Sequence, residues 1–134
     1  MTVSLLVITY NQSGQELINI ATFILGNYPF NVEFTPVSAS IKTSELGRYA
    51  DQMKNKNYQL VTANSSNNGI LILTDICGAT PYNLAKYFAV DININIVSGI
   101  NLPMLLSVLH YPNQSLQALS LIATEGARKG IKQD

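Results

Sequence analysis

Short runs that stay apolar residue after residue, with no polar side chain at every second place, constrain this chain more than anything else in it. Residues 3–9, Val-Ser-Leu-Leu-Val-Ile-Thr, and Ile70–Thr74, Ile-Leu-Ile-Leu-Thr, are the clearest cases. A strand with one face in water alternates apolar and polar residues, whereas one without that alternation has to be covered on both faces. Residues 32–37 and 92–97 read as two more strands. The segments between them change to a helical period. Leu17, Ile18, Ala21, Ile24 and Leu25 share one helix face, with Gly26 as a stop and Ser13 and Glu16 as a capping box. A second helix is expected from Thr43 or Ser44 through Leu46, Tyr49, Ala50 and Met53, extending toward Leu60 and Val61, before a polar turn at residues 64–69. A third begins with Thr80 as N-cap and Pro81 as first helical residue, its apolar face being Leu84, Ala85, Tyr87 and Phe88. Pro103 opens a short helix that ends near His110, and Ser115 caps a last one with Leu116, Leu119, Ile122, Ala123, Gly126 and Ala127 facing inward. The order β-α-β-α-β-α-β-α-α predicts an α/β fold: a doubly wound, mostly parallel sheet of four strands with helices on both faces and right-handed crossovers.

Composition narrows the function classes. A length of 134 residues is one domain, and 47% hydrophobic with 12% charged residues describes a chain with a substantial core. Eight basic residues balance eight acidic ones, so neither nucleic acid nor an anionic membrane surface is an expected partner. One cysteine and one histidine give no internal disulfide and no metal site, and no cofactor is expected. No apolar run approaches the roughly 20 residues that span a bilayer, and the first residues lack the charged start of a signal peptide. The expectation is a cytoplasmic domain without direct membrane insertion.

In an open parallel sheet, ligands bind beyond the carboxyl ends of the strands, where strand order reverses. The loops that matter are then residues 10–12, 38–42, 75–80 and 98–102. The first and third feed directly into helices, whose amino ends favour anions. No Gly-x-Gly-x-x-Gly and no Walker sequence occurs. Asp75, at the end of the third strand, reads either as a carboxylate that orients a reacting group or accepts its proton, or as a cap for its own loop. Thr80 is a ligand or a plain N-cap. Cys77 lies in the same loop, where a helix amino end favours a thiolate, but it has no histidine neighbour in sequence. Tyr10 follows the first strand and faces Asp75 across the site. His110, about eight residues or roughly 12 Å along its helix from that edge, reads as a structural residue at a helix carboxyl end.

Three collinear motifs then become recognisable. Asp75-x-x-Gly78-Ala79-Thr80-Pro81-Tyr82-Asn83 resembles an Asp-x-x-Gly-Gly-Ser/Thr-Pro-x-Asn loop, Gly99-Ile100-Asn101-Leu102-Pro103-Met104 resembles Gly-Val-Asn-Leu/Ile-Pro-Met, and Gly126-Ala127-Arg128-Lys129-Gly130-Ile131 is similar to a closing Gly-Arg-x-Gly-Val segment. Together they resemble the enzyme IIA domain of the mannose/fructose/sorbose family of bacterial phosphoenolpyruvate-dependent sugar phosphotransferase systems. The resemblance covers almost the whole chain and implies a single enzyme IIA-like domain over residues 1–134, with no room for a fused IIB domain. It also implies a homodimer, here with a brief exchanged C-terminal strand, and partners in the histidine phosphocarrier protein and an enzyme IIB.

The resemblance further implies that a histidine right after the first strand, in Thr-His-Gly, accepts a phosphoryl group. Here the matching residues are Thr9-Tyr10-Asn11. Tyr10 stands at the acceptor position, while the partner carboxylate (Asp75) and the loop hydroxyl (Thr80) remain. Gly78, Ala79 and Thr80 supply the amides of an implied anion site, and Thr9, Asn11 and Asn101 complete the pocket. A phenol titrates near 10, so little phenolate exists at neutral pH, and a tyrosine phosphate is a stable ester rather than a transferable phosphoramidate. Three readings follow: a IIA-like member that has lost transfer chemistry and acts in regulation or is degenerate; an active carrier using another residue such as Cys77; or an unrelated flavodoxin-like domain that binds an anion or small ligand.

Overall fold

A computed structural model describes residues 2–56, 68–89 and 93–134. Four strands, β1 (Ser4–Tyr10), β2 (Val32–Val37), β3 (Ile70–Thr74) and β4 (Ile94–Ser98), form one sheet in the order β2-β1-β3-β4. Every pairing is parallel, with Ile8 opposite both Thr35 and Thr74. The helices are α1 (Ser13–Leu25), α2 (Leu46–Lys56, entered through a 3-10 turn at Thr43–Glu45), α3 (Thr80–Phe88), α4 (Leu102–Leu109) and α5 (Leu116–Lys129). The predicted α/β architecture is the observed one.

The unbroken apolar runs have the reason anticipated for them. Residues of β1 and β3 alternate between two separate cores. Leu5, Val7, Leu71 and Leu73 pack with Ile18 and Ala21 of α1, Met104, Leu105 and Val108 of α4, and Leu116, Leu119 and Ala123 of α5. Leu6, Ile8, Ile70 and Ile72 pack on the other face with Leu46, Ala50 and Met53 of α2 and Leu84 and Ala85 of α3. Both central strands are thus buried twice over. β2 lies at an edge, which accommodates Pro36, a residue with no N–H to give a neighbour. The carbonyl of Pro36 instead accepts the Tyr49 hydroxyl at 3.0 Å.

Several boundaries differ from expectation. The first strand runs one residue further, so Tyr10 belongs to β1 and not to the loop. The Ser13–Glu16 capping box does not form: Gln12 is the N-cap, and Ser13 Oγ donates to the Tyr10 carbonyl at 3.0 Å. Ser13 is short of the role because α1 is capped from the sheet, where Thr9 Oγ1 accepts the Gly14 N–H at 2.8 Å. Gly14 must be small there, since a Cβ would lie 2.7 Å from both Phe34 and Val7. The fourth strand starts at Ile94, and the expected start at residue 92 falls outside the described residues, as do the extension of α2 to Leu60 and Val61 and most of the 64–69 turn.

Ser115 caps α5 as anticipated, accepting the Ala118 N–H at 3.2 Å. The small residues of α5 have an internal use. A side chain on Gly126 would collide with Ser107, and one on Gly130 with Pro103, so they let α5 lie close against α4. Asn101 ties the same pair together. Its Oδ1 accepts the Met104 N–H at 2.8 Å as the N-cap of α4, and its Nδ2 donates to the Ala127 carbonyl of α5 at 3.3 Å. After α5 the chain from Ile131 has no regular structure.

Two substitutions test this packing by denaturant unfolding. Asn101→Ala removes a cap and an interhelix bond together and is expected to cost about 2 kcal/mol. Gly126→Val inserts a branched side chain where Ser107 already sits and is expected to cost about 2–3 kcal/mol, whereas Gly47→Val, at a position with open space, should cost under about 1 kcal/mol.

Candidate functional site

The sheet order reverses between β1 and β3, so the carboxyl ends of these two neighbours flank the switch point. Tyr10 ends β1, and Asp75 directly follows β3. Pairing between the two strands stops at Ile8 and Thr74, although β1 continues alongside β2 to Tyr10. The Tyr10 amide on the β3 side would be left without a partner. The Asp75 carboxylate supplies one: Oδ2 accepts the Tyr10 N–H at 2.8 Å, and Oδ1 accepts the Ile76 N–H at 3.0 Å. On the other side Asn11 donates its N–H to the Val37 carbonyl at 2.9 Å. Asn11 has φ 49°, in the left-handed region that asparagine tolerates better than most residues, and this turns the chain from β1 into α1.

The Tyr10 side chain projects over the opposite face of the sheet from Thr9. Its hydroxyl accepts the Thr80 N–H at 3.3 Å, across 70 positions of sequence. This bond corrects the assignment of Thr80 as N-cap. Ala79 occupies that position with extended backbone and no capping side chain, and Thr80 is the first helical residue. The hydroxyl of Tyr10 satisfies one of the free N–H groups of the first helical turn. The loop before α3 is closed by its own bonds: Ala79 N–H donates to the Ile76 carbonyl at 3.2 Å, and Asn83 Nδ2 donates to the Gly78 carbonyl at 3.2 Å. Gly78 adopts φ 87°, which its lack of a Cβ permits. Of the three amides expected at an anion site, those of Ala79 and Thr80 are therefore engaged within the chain.

The candidate residues divide into two groups. Tyr10, Asn11, Asp75, Gly78, Ala79 and Thr80 gather at the ends of β1 and β3. Thr9 does not face them. It is fully buried on the α1 side, where its hydroxyl is taken by Gly14. Asn101 likewise has both ends of its amide committed to α4 and α5. Cys77 is an exposed free thiol in the same loop as Asp75. It sits beside Tyr82, and its hydrogen bond and charge raise the pKa of that phenol above the ordinary value. The Lys86 ammonium lies 5.6 Å from the centre of the Tyr82 ring. His110 is the exposed C-cap of α4, its ring edge-on to Tyr111 at 5.2 Å. Among the described residues no group of histidine, cysteine and carboxylate side chains could hold a metal ion, and no helix is long and apolar enough to cross a membrane.

One residue that sequence reasoning passed over belongs to this region. Thr74 is fully buried, and its Oγ1 is the buried side-chain oxygen that lacks a hydrogen-bond partner among the described residues. A threonine closing an apolar strand looks like an ordinary strand residue, and only the neighbours around it reveal the unused hydroxyl.

The carboxylate is expected to be a structural clamp whatever else it does. Asp75→Ala leaves two backbone N–H groups without acceptors and should cost about 2–3 kcal/mol in urea unfolding, while Asp75→Asn, which keeps one acceptor oxygen, should cost roughly half as much.

Comparison with known proteins bears on the same geometry. Residues 4–123 match the family described as the PTS system fructose IIA component. The chain is 29% identical over 139 aligned residues to the PTS system mannose-specific EIIAB component of Escherichia coli (strain K12), an alignment that takes in 98% of this chain and 39% of that protein. It therefore spans about two fifths of the length of that relative. A 64-residue stretch, 47% of this chain, is 38% identical to the PTS system fructose-specific EIIA component of Bacillus subtilis (strain 168), covering 44% of it. Among solved structures, the mannose/sorbose specific IIA subunit of the phosphotransferase system from Enterococcus faecalis superimposes with a TM-score of 0.81 at 18% identity, covering all of this chain and 96% of that one. With four parallel strands in this order, a polar loop at the switch point and a match over residues 4–123, the chain belongs to the enzyme IIA family of the mannose and fructose phosphotransferase systems.

Proposed function

We propose that this chain is an enzyme IIA-like component of a sugar phosphotransferase system that no longer carries phosphate at the position where its relatives are expected to, and that it serves a regulatory role or is degenerate. The observation that carries this reading is the identity and setting of Tyr10. It lies at the end of β1 beside the switch point, and its hydroxyl is held by Thr80 N–H. The chain's single imidazole, His110, caps the far end of α4. A phosphoryl relay needs an acceptor that is nucleophilic near neutral pH and that gives the group up again, and imidazole does both. A phenol does neither well.

The roles of Asp75 and Thr80 fit this reading. In a carrier, a carboxylate beside the acceptor would hold the imidazole by its second N–H and fix the tautomer, as carboxylates do for other reactive histidines. Here the carboxylate remains because two backbone amides need it. Asn11 takes the place of a glycine, and its left-handed backbone is the conformation that glycine would supply there. The histidine phosphocarrier protein and an enzyme IIB are the partners this reading assigns, with a cytoplasmic site of action and assembly as a homodimer. The small residues of α5 do not argue for that dimer, since they are used against α4 within the chain. Membership in the family replaces the alternative of an unrelated flavodoxin-like domain.

Phosphoryl transfer is tested by incubation with phosphoenolpyruvate, enzyme I and the histidine phosphocarrier protein. The wild-type chain is expected to gain no acid-labile phosphate. Tyr10→His is expected to restore partial labelling, and adding Asn11→Gly should raise it. Acid-labile phosphate on the unmodified chain would sink the proposal, and mapping it to Cys77 would establish the thiol as the acceptor. For assembly, light scattering at micromolar concentration should give twice the chain mass.

A further inference from the structure

Helix α1 turns Gly14, Ile18 and Ala21 to the core, yet its other side is not the polar surface such a helix ordinarily shows to water. Phe23 is 89% exposed, Ile24 54% and Ile20 44%, and residues 19–25 include no charge. Beside this stripe an open groove of about 350 Å³ runs between α1 and α4, lined by Ile24, Leu25, Leu106, Ser107, His110 and Tyr111. Tyr111 is itself 46% exposed. A second groove, of about 300 Å³, continues past Ser107 and Tyr111 between α4 and α5 and is bordered by Glu125 and Lys129. The carboxyl ends of α1 and α4 lie toward the amino edge of the sheet, so this face is separate from the switch point. The exposed parts of Phe23, Ile20, Ile24 and Tyr111 alone come to roughly 400 Å². Contiguous apolar patches of that size on a chain's surface mark places where something binds.

We propose that this face is where two copies of the chain meet about a two-fold axis, Phe23 of each copy seated in the α1–α4 groove of the other. A two-fold contact needs one surface that carries both a projecting group and its receptacle. Here the two adjoin: Phe23 is the most exposed large hydrophobic residue among those described, and its neighbour Ile24 is a wall of the groove. A cavity of about 150 Å³ accepts a benzene ring, so the groove has room for this one. The charge pattern also suits a second copy. Residues 19–25 and 102–109 carry none, and Glu125 and Lys129 at the margin have opposite signs one helical turn apart. The face therefore meets itself without like-charge repulsion, whereas a foreign partner is commonly selected by a patch of one sign. A standard interface takes about 800 Å² from each partner. The four side chains supply about half of that, and the groove walls and Ile122 of α5 add to it. This contact differs from an exchanged C-terminal strand, which would use residues 131–134. The inference rests on the homodimer reading and is independent of whether the chain carries phosphate.

Light scattering and amide NMR on the full chain test it together. Phe23→Glu and Tyr111→Glu, both at exposed positions, are expected to halve the mass and weaken self-association at least a hundredfold. Phe23→Leu keeps an apolar side chain and should stay within tenfold of wild type. Deletion of residues 131–134 should leave the mass unchanged. On dilution of the wild type, amides of Ile24, Leu106, Ser107 and Tyr111 should shift while those of Ile94–Ser98 stay in place, a readout that stands even if a variant folds poorly. A folded Phe23→Glu that keeps the wild-type mass would overturn the proposal, as would dilution shifts confined to Ile94–Ser98. Either result leaves the homodimer itself intact. A wild-type chain of single mass with no dilution shifts would remove both the homodimer and this face as its interface.

Discussion

Strand β1 outlasts its neighbour β3 by two residues, and the way the structure handles that overhang determines the whole carboxyl edge of the sheet. A central parallel strand has to bond on both sides. Where β3 turns away at Asp75, the side-chain carboxylate continues the ladder in place of a backbone carbonyl, while β2 keeps pace on the other side as far as Val37. Thr9 and Tyr10 then point to opposite faces. Each hands a hydroxyl to the first turn of a different helix, α1 for Thr9 and α3 for Tyr10.

This arrangement separates the parts of the site that hold the fold from the part that could change its chemistry. Asp75 is required by two amides irrespective of what stands at position 10. Thr80 contributes its backbone N–H, which any residue but proline would provide. Asn11 needs only a tolerance for the left-handed region. The side chain at position 10 reaches across the switch point to a single partner, the Thr80 N–H.

The layers of the fold were legible because burial on both faces leaves a mark in the sequence: Leu5-Leu6-Val7-Ile8 and Ile70-Leu71-Ile72-Leu73 have no polar residue to turn toward water. Ser115 was legible as a cap because its bond is local, three residues away. Ser13 and Thr80 carry the same local signal but play other parts: at α1 the cap bond comes from Thr9, only five residues before Gly14, whereas at Thr80 the oxygen arrives from Tyr10, 70 residues away. Asn101 reads as a loop residue of a pocket, yet both ends of its amide are spent on α4 and α5, and the second of those bonds spans 26 residues. The gathering of Tyr10, Asp75 and Thr80 could be inferred from the rule that ligands bind at strand ends. The orphaned hydroxyl of Thr74 could not, since it is defined by neighbours that never arrive.

The opposed side chains at the end of β1 also bear on which alignment of the sheet the folded chain can accept. Parallel strands rich in leucine and isoleucine differ little in burial if one slides by a single residue, because both faces are apolar. Such a slide exchanges the faces of positions 9 and 10. The tyrosine ring would then be driven against Gly14, where not even a methyl group fits beside Phe34 and Val7, while the short threonine would fall well short of α3. The two apolar layers cannot tell the correct alignment from the shifted one, but a large side chain and a small one with set destinations can. The register of the sheet is thereby tied to the two residues at the end of β1.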